Sequence, residues 1–499
     1  MIETETPAAL SPEGTRPVGH ETEAATSPRL SRRLASVVWM TGLGSVATMA
    51  VSTLASVAVA RNGGPAGYAT FITANMLIFV TAVLSSCGLP VALAKYVARE
   101  EERGHHEALR QSCTTTFILM LLSALVAGVV VSLNLSRLEQ YLNVSIGDGF
   151  ALAFPIILLC AATSDCVQGI YSGLLRPRSM IAITVAGPLA MIFYILVRRG
   201  GAPLPLWGAV AASYICSGVV AGYKSWRDKL LGAPALISEI RPILKDIAPA
   251  ATFTFFTIFS TWSDRWIVGT QLGAIAMGSY TAAVLVIQAV LRVPTHIGYL
   301  LVPASTRMAL GGVERIRKFN NIMIGIFGIF SALMMVVIML APTTIVRLLF
   351  GPGFSLAAPT LLIMALGLMA SAVSIPFISA LTGSTKNRLV IWLLALTLLP
   401  RILLLLFFTR RWSLLGTALA TVLADYLLAL CCLLLAHKIG IGFPLFPLLR
   451  SYLIGALILI AGLGALLLNV PQLVVVALAI AAFTPALWQA ARSIYESSD

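Results

Sequence analysis

The chain is built from apolar runs long enough to cross a bilayer. A crossing needs about 20 mostly apolar residues, because a helix rises about 1.5 Å per residue through roughly 30 Å of hydrocarbon. Fourteen stretches reach that length: 37–60, 69–94, 112–134, 149–174, 179–197, 203–222, 247–270, 279–303, 319–341, 356–381, 389–408, 412–436, 451–469 and 472–491. Lipid offers no partner for a bare backbone amide, so such runs fold as helices. The pattern predicts an all-α polytopic membrane protein with about 14 transmembrane helices. Composition agrees, since 11% of the 499 residues are charged against roughly 25% in soluble domains.

Basic residues orient the bundle. With the N-terminus placed in the cytoplasm, 24 of the 34 Lys and Arg fall on inside loops and tails, seven outside and three within spans. Cytoplasmic loops of membrane proteins carry that excess. The bias places both termini in the cytoplasm and accounts for the net charge of +14 without a nucleic-acid partner. Residues 1–33, rich in Pro, Glu, Ser and Thr, read as a disordered cytoplasmic tail. The longest outside segment, about 135–148, is too short for a folded domain.

"GPAGYATFITA" (Gly64–Ala74) and "GAIAMGSYTAA" (Gly273–Ala283) each open an apolar run, six spans apart. An even separation gives the two copies one orientation, as in repeats related by an axis along the membrane normal. The expected organisation is an N-lobe of six spans (34–223), a cytoplasmic linker (224–246), a C-lobe of six spans (247–437), and two further spans with the tail (438–499).

Charges inside spans are costly and usually functional. Six fall there: Asp165, Asp264, Arg265, Arg292, Arg401 and Asp425. Asp264 and Arg265 are neighbours and point about 100° apart on a helix, a poor geometry for a self-contained salt bridge. Arg265 either snorkels to the headgroups or serves a cavity. Trp262 and Trp266, on one face, read as an interfacial belt. Arg292 lies deep in "SYTAAVLVIQAVLRVPTHIGYLLVP", with His296 four residues on and no acid nearby in sequence. It reads as an anion contact, the alternative being an ion pair with Asp165 or Asp264. Arg401 and Asp425, on consecutive antiparallel spans, suit a structural ion pair. Lys95 ends span 2, as an inner anchor or at a cytoplasmic mouth.

No catalytic machinery is legible. The seven cysteines are odd in number, with no CxxC or Cys/His spacing, so neither a disulfide framework nor a metal site is expected. "TGSTKN" (Thr382–Asn387) lacks the spacing of a phosphate-binding loop, and no G-x-S-x-G or H-E-x-x-H occurs. The expectation is a protein that is not an enzyme and holds no cofactor.

"GPAGYATF…GLPVALAKYVAREEERG", "SDRWIVGTQLGAIAMGSYTAA", "LVPASTRM" and "VRLLFGPGFSLAAPTLLIMALG", in that order, resemble the polysaccharide-synthesis transporters. These are the Wzx-type oligosaccharide flippases, of the superfamily that also holds multidrug extruders and the lipid II flippase. The resemblance covers nearly all of 35–490. It implies two six-helix lobes around a central cavity that opens to each side in turn, in the bacterial cytoplasmic membrane. The implied cargo is an undecaprenyl-diphosphate-linked oligosaccharide, with membrane lipids, a polysaccharide polymerase and a chain-length regulator as partners. Arg292, Arg265, His296 and Lys95 would then bind substrate, and Asp264 or Asp165 would serve as coupling or cavity acid. Span 1 lacks the basic residues of the lipid II flippase and the acid of many drug extruders. A cation-coupled multidrug or small-molecule exporter is the alternative.

Overall fold

A computed structural model describes residues 28–201, 204–234, 241–310, 313–383, 387–439 and 445–496. Helices account for nearly all of these residues, and no strand occurs among them. In chain order they are α1 (Pro28–Ser86), α2 (Leu89–Arg103), α3 (His106–Leu133), α4 (Leu135–Leu142), α5 (Phe150–Gly173), α6 (Pro177–Arg199), α7 (Trp207–Arg227) and α8 (Arg241–Leu272). Then follow α9 (Ala274–Leu310), α10 (Val313–Leu340), α11 (Pro342–Phe350), a 3₁₀ turn (Pro352–Phe354), α12 (Ala357–Ala365), α13 (Leu368–Gly383), α14 (Asn387–Lys438), α15 (Leu445–Leu467) and α16 (Gln472–Glu496).

Among the described residues eight helices are long and apolar enough to cross a membrane, and α12 with α13, bent by 51°, makes a ninth candidate. Two of the eight are double-length, with apolar segments of 41 and 50 residues. In α14 the backbone leaves helical geometry at Trp412 and Ser413 (φ 52°). Arg401 and Asp425 would stand about 36 Å apart on an unbroken helix, yet Arg401 Nη1 lies 3.0 Å from Asp425 Oδ1. Thr409 and Thr417 meet across the same break at 2.9 Å. The chain therefore doubles back, and α14 supplies two crossings.

In α1 the break is Gly64, at φ 63°, a left-handed conformation that glycine adopts without a Cβ penalty. Before it, Gly44 sits against Ile181 near the start of α6, and Asn62 accepts from Arg198 near its end. After it, Tyr68 meets Phe354 and Gly88 lies against Ala250 and Ala251 of α8. The expected loop between spans 1 and 2 shrinks to this one residue. The described part of each of the fourteen apolar runs lies largely on helix, which is compatible with fourteen crossings.

The face predicted to lie outside closes across the two halves of the chain. Arg61 donates to the carbonyls of Leu348 and Leu349 in the last turn of α11, where a cation complements the negative end of the helix dipole. Gly278 faces the Pro65 carbonyl so closely that a Cβ would collide with it. Small residues permit such backbone approach between membrane helices. Pro65 and Gly278 belong to the two copies of the sequence repeat, so the copies meet here. Below this seal α1 packs on both α6 and α9.

Candidate functional site

A cavity of about 630 Å³ lies between α1, α6 and α7 on one side and α8 and α9 on the other. This is within the ordinary range of ligand pockets, about 300–1,000 Å³. Two helix faces build much of it. In α9 the lining includes Thr281, Leu285, Gln288, Arg292 and Thr295, with Leu291 beside them, and in the second half of α1 it includes Tyr68, Ile72, Asn75 and Phe79, with Phe71 beside them. Steps of three and four put each set on one stripe of its helix. Ser52 and Ser56 of α1 share a face by the same spacing, and Ser213 comes from α7.

Arg265 and Arg292 both line this cavity, and no aspartate or glutamate among the described residues does. Arg292 is half-buried and makes no ion pair or hydrogen bond with any described residue. Neither acid considered as its partner, Asp165 or Asp264, pairs with it. Arg265 is held more firmly and is only 3% exposed. Its Nη1 donates to the Thr261 carbonyl at 2.5 Å, and its Cζ stands 4.6 Å from the Trp262 ring centroid. Such a stack on an indole face is favourable for a desolvated cation. Arg265 Nε has no hydrogen-bond partner among the described residues.

The expected separation of Asp264 from Arg265 needs correction, since Arg265 Nη1 lies 3.6 Å from Asp264 Oδ1. The guanidinium folds back along its own helix toward Thr261, which brings it within reach of the neighbouring carboxylate. Asp264 still turns mainly elsewhere. Its Oδ1 accepts the Arg265 backbone N–H at 2.7 Å and its Oδ2 the Tyr280 hydroxyl at 3.0 Å. Tyr280 in turn meets Thr421 Oγ1 at 3.0 Å. Asp264 is therefore a buried tie between α8, α9 and α14 rather than a cavity-lining group. Trp262, read as part of an interfacial belt, instead forms cavity wall against Phe79, with ring centroids 5.7 Å apart. Trp266 packs on Tyr141.

The other expected site residues are dispersed. Asp165 is off the lining and has no hydrogen-bond or ion-pair partner among the described residues. The His296 side chain lies outside the described residues. Lys95 stands on the exposed face of α2, a separate helix that begins after the left-handed residues Cys87 (φ 47°) and Gly88 (φ 76°). Arg401 and Asp425 pair with each other, at 13% and 34% side-chain exposure. No group of His, Cys, Asp and Glu suited to a metal occurs among the described residues.

Sequence reasoning missed Asn75, Gln288, Ser52, Ser56 and Ser213. A lone neutral polar residue in a span carries little signal. The stripe from Thr281 through Gln288 to Arg292 was detectable by its spacing, had Arg292 been used as its anchor.

A family model described as "Polysaccharide biosynthesis protein" matches residues 34–309, more than half of the chain. The chain belongs to the polysaccharide biosynthesis protein family. This family member is 23% identical over 389 residues to a Shigella flexneri protein named "Putative O-antigen transporter", a match covering 72% of this chain and 88% of that one. Its fold is shared with the lipid II flippase MurJ in an inward closed conformation, at TM-score 0.71 and 12% identity over 91% of this chain and 99% of the other. It also resembles an inward-facing multidrug resistance MATE family transporter of the MOP superfamily, at TM-score 0.64 and 14% identity over 79% of this chain and 94% of the other. This polysaccharide biosynthesis protein is thus a multi-pass membrane protein with the fold of MOP-superfamily transporters, and its relatives carry the names of transporters rather than enzymes.

Proposed function

We propose that this protein is a flippase that moves a lipid-diphosphate-linked oligosaccharide across the bacterial cytoplasmic membrane by alternating access, for cell-surface polysaccharide synthesis. One observation carries the reading: Arg292, a cation inside a membrane helix, faces a cavity and is neutralised by no described residue. A charge kept in such a place is costly unless a ligand or water uses it. Guanidinium groups suit phosphate oxygens because their planar donors can bind two at once. Arg265 adds a second cation to the same cavity. The lobes 34–223 and 247–437 would rock about the linker 224–246, with Lys95 near the cytoplasmic mouth, His296 close to Arg292 along α9, and Asp264 or Asp165 available to coupling protons. An exporter of cations would want carboxylates on the lining, and none occurs there among the described residues.

The test is reconstitution in liposomes with a polyprenyl-diphosphate oligosaccharide, scored by arrival of the head group in the far leaflet, with and without a proton gradient. Arg292→Gln and Arg292→Ala are expected to lower the rate at least about tenfold, the loss of one charge-assisted hydrogen bond. Their melting temperatures in detergent should match the wild type, since Arg292 makes no polar contact with the described protein. Wild-type flux in both variants refutes the reading.

A further inference from the structure

The polar groups that the protein leaves unsatisfied in the cavity are sorted by side. Ser52, Ser56 and Ser213, from α1 and α7, make no hydrogen bond with any described residue. The lining threonines of the other side behave differently. Thr261, Thr281 and Thr295 each donate to the carbonyl four residues back, at 2.7 to 2.8 Å. Asn75 is held by one end: the Tyr214 hydroxyl donates to its Oδ1 at 3.3 Å, and its Nδ2 has no described partner. On the α8 and α9 side the unsatisfied groups of the described lining include two cations, Arg292 and the Arg265 Nε, with the Gln288 amide and the Trp262 indole N–H as neutral members.

Free hydroxyls and an amide each donate and accept, which matches the hydroxyls of a sugar. Guanidinium groups only donate, which matches the oxygens of a diphosphate. We propose that the cavity divides its cargo: α8 and α9 hold the diphosphate, while Ser52, Ser56, Ser213 and Asn75 on α1 and α7 bind the saccharide and discriminate among saccharides. Tyr214 acts as a positioning residue, orienting the Asn75 amide from behind. The inference rests on the flippase reading and adds to it a specificity-determining surface. A site built to hydrogen-bond hydroxyls rejects analogues that lack them, because its own groups are then stranded.

Two lipid probes separate the sides: a bare polyprenyl diphosphate, and the same lipid carrying a trisaccharide. The affinity of purified protein in detergent is measured for both, and the quantity read is their ratio. Arg292→Gln is expected to weaken both probes by the same factor, about tenfold, and leave the ratio unchanged. Combined Ser52→Ala, Ser56→Ala and Ser213→Ala is expected to weaken the trisaccharide lipid about tenfold more than the bare one. Asn75→Ala reads the same ratio singly, should the triple variant fail to fold, with a smaller expected change of about threefold. An unchanged ratio in the serine and asparagine variants, with wild-type protein binding both probes, overturns the division and leaves the flippase reading standing. So does an Arg292→Gln effect confined to the trisaccharide lipid. Wild-type protein that binds neither probe overturns the flippase reading and the division with it.

Discussion

Two helix faces of this cavity follow one pattern and end differently. Tyr68, Ile72, Asn75 and Phe79 on α1 step by four, three and four, as do Thr281, Leu285, Gln288 and Arg292 on α9. Each face carries one carboxamide at its third position. At the fourth, α1 presents Phe79, packed on Trp262, and α9 presents Arg292, which touches no described polar group. The Gly–Tyr segments at the break in α1 and at the start of α9 meet at Pro65 and Gly278. Similar scaffolds thus face one space with a neutral wall and a cationic one. The difference teaches that two stripes of the same spacing can give one cavity walls of different chemistry, through the side chain each carries at its fourth position. It also shows where the supporting charges lie: behind α9, Asp264, Tyr280 and Thr421 form a buried chain, with Arg401 and Asp425 paired on α14.

The comparison breaks most completely if the cationic wall is made to copy the neutral one. Arg292→Phe is expected to cut transport by about 1.5 to 3.5 orders of magnitude, the roughly 2–5 kcal/mol lost when one partner of a buried charge contact is removed. A rate within threefold of wild type in liposomes would make the asymmetry irrelevant. Next in size is the support behind α9. Asp425→Ala leaves the Arg401 guanidinium unpaired in the bundle and should destabilise by about 3 kcal/mol, the low end for a broken buried pair. The low end applies because Asp425 is a third exposed. Thermal unfolding in detergent measures it, and the paired change Arg401→Met with Asp425→Leu should recover most of the loss.

Tyr280→Phe sharpens the comparison at smaller scale. It removes the hydroxyl between Asp264 and Thr421 and is expected to cost about 1.5–3 kcal/mol, as for hydrogen bonds to charged groups. Tyr68→Phe, in the opposite copy, should cost much less, because the Tyr68 hydroxyl has no described hydrogen-bond partner. Equal losses would show that the two tyrosines are interchangeable.

The smallest effect lies outside the membrane, on the N-terminal side. Partial burial pushes the Asp228 carboxyl up. The Tyr171 hydroxyl donates to it at 2.8 Å, and Arg227 and Arg176 stand close. Together they outweigh burial and hold Asp228 below the ordinary carboxylate value. A depressed folded-state value stabilises above the unfolded-state value, about 3.9, and that contribution disappears as pH falls through the folded value. Melting temperature should therefore drop on acidification below about pH 4, and less steeply in Asp228→Asn. Parallel pH profiles in the two proteins would remove this contact from the account.

Much of the architecture was readable because the bilayer enforces it. Apolar length and the backbone's need for internal hydrogen bonds act locally and leave marks in the chain. The site was readable only where a charge made it conspicuous. Arg292 and Arg265 stood out for that reason, while Ser52, Ser56 and Ser213 did not. Lys95 shows the converse: it is conspicuous in sequence, but a left-handed pair at Cys87 and Gly88 carries it onto a separate helix.

The amino-acid sequence alone determined that this chain is a bundle of membrane-crossing helices with a few costly charges inside it. Which charges are neutralised by one another and which face open space depended on the packing. Arg401 finds Asp425 because α14 reverses at Trp412–Ser413, and Asp264 is drawn to Tyr280 because α8 and α9 pack together. Pairing is a property of distance in three dimensions, and Coulomb and hydrogen-bond energies fall too steeply with separation for order along the chain to reveal it.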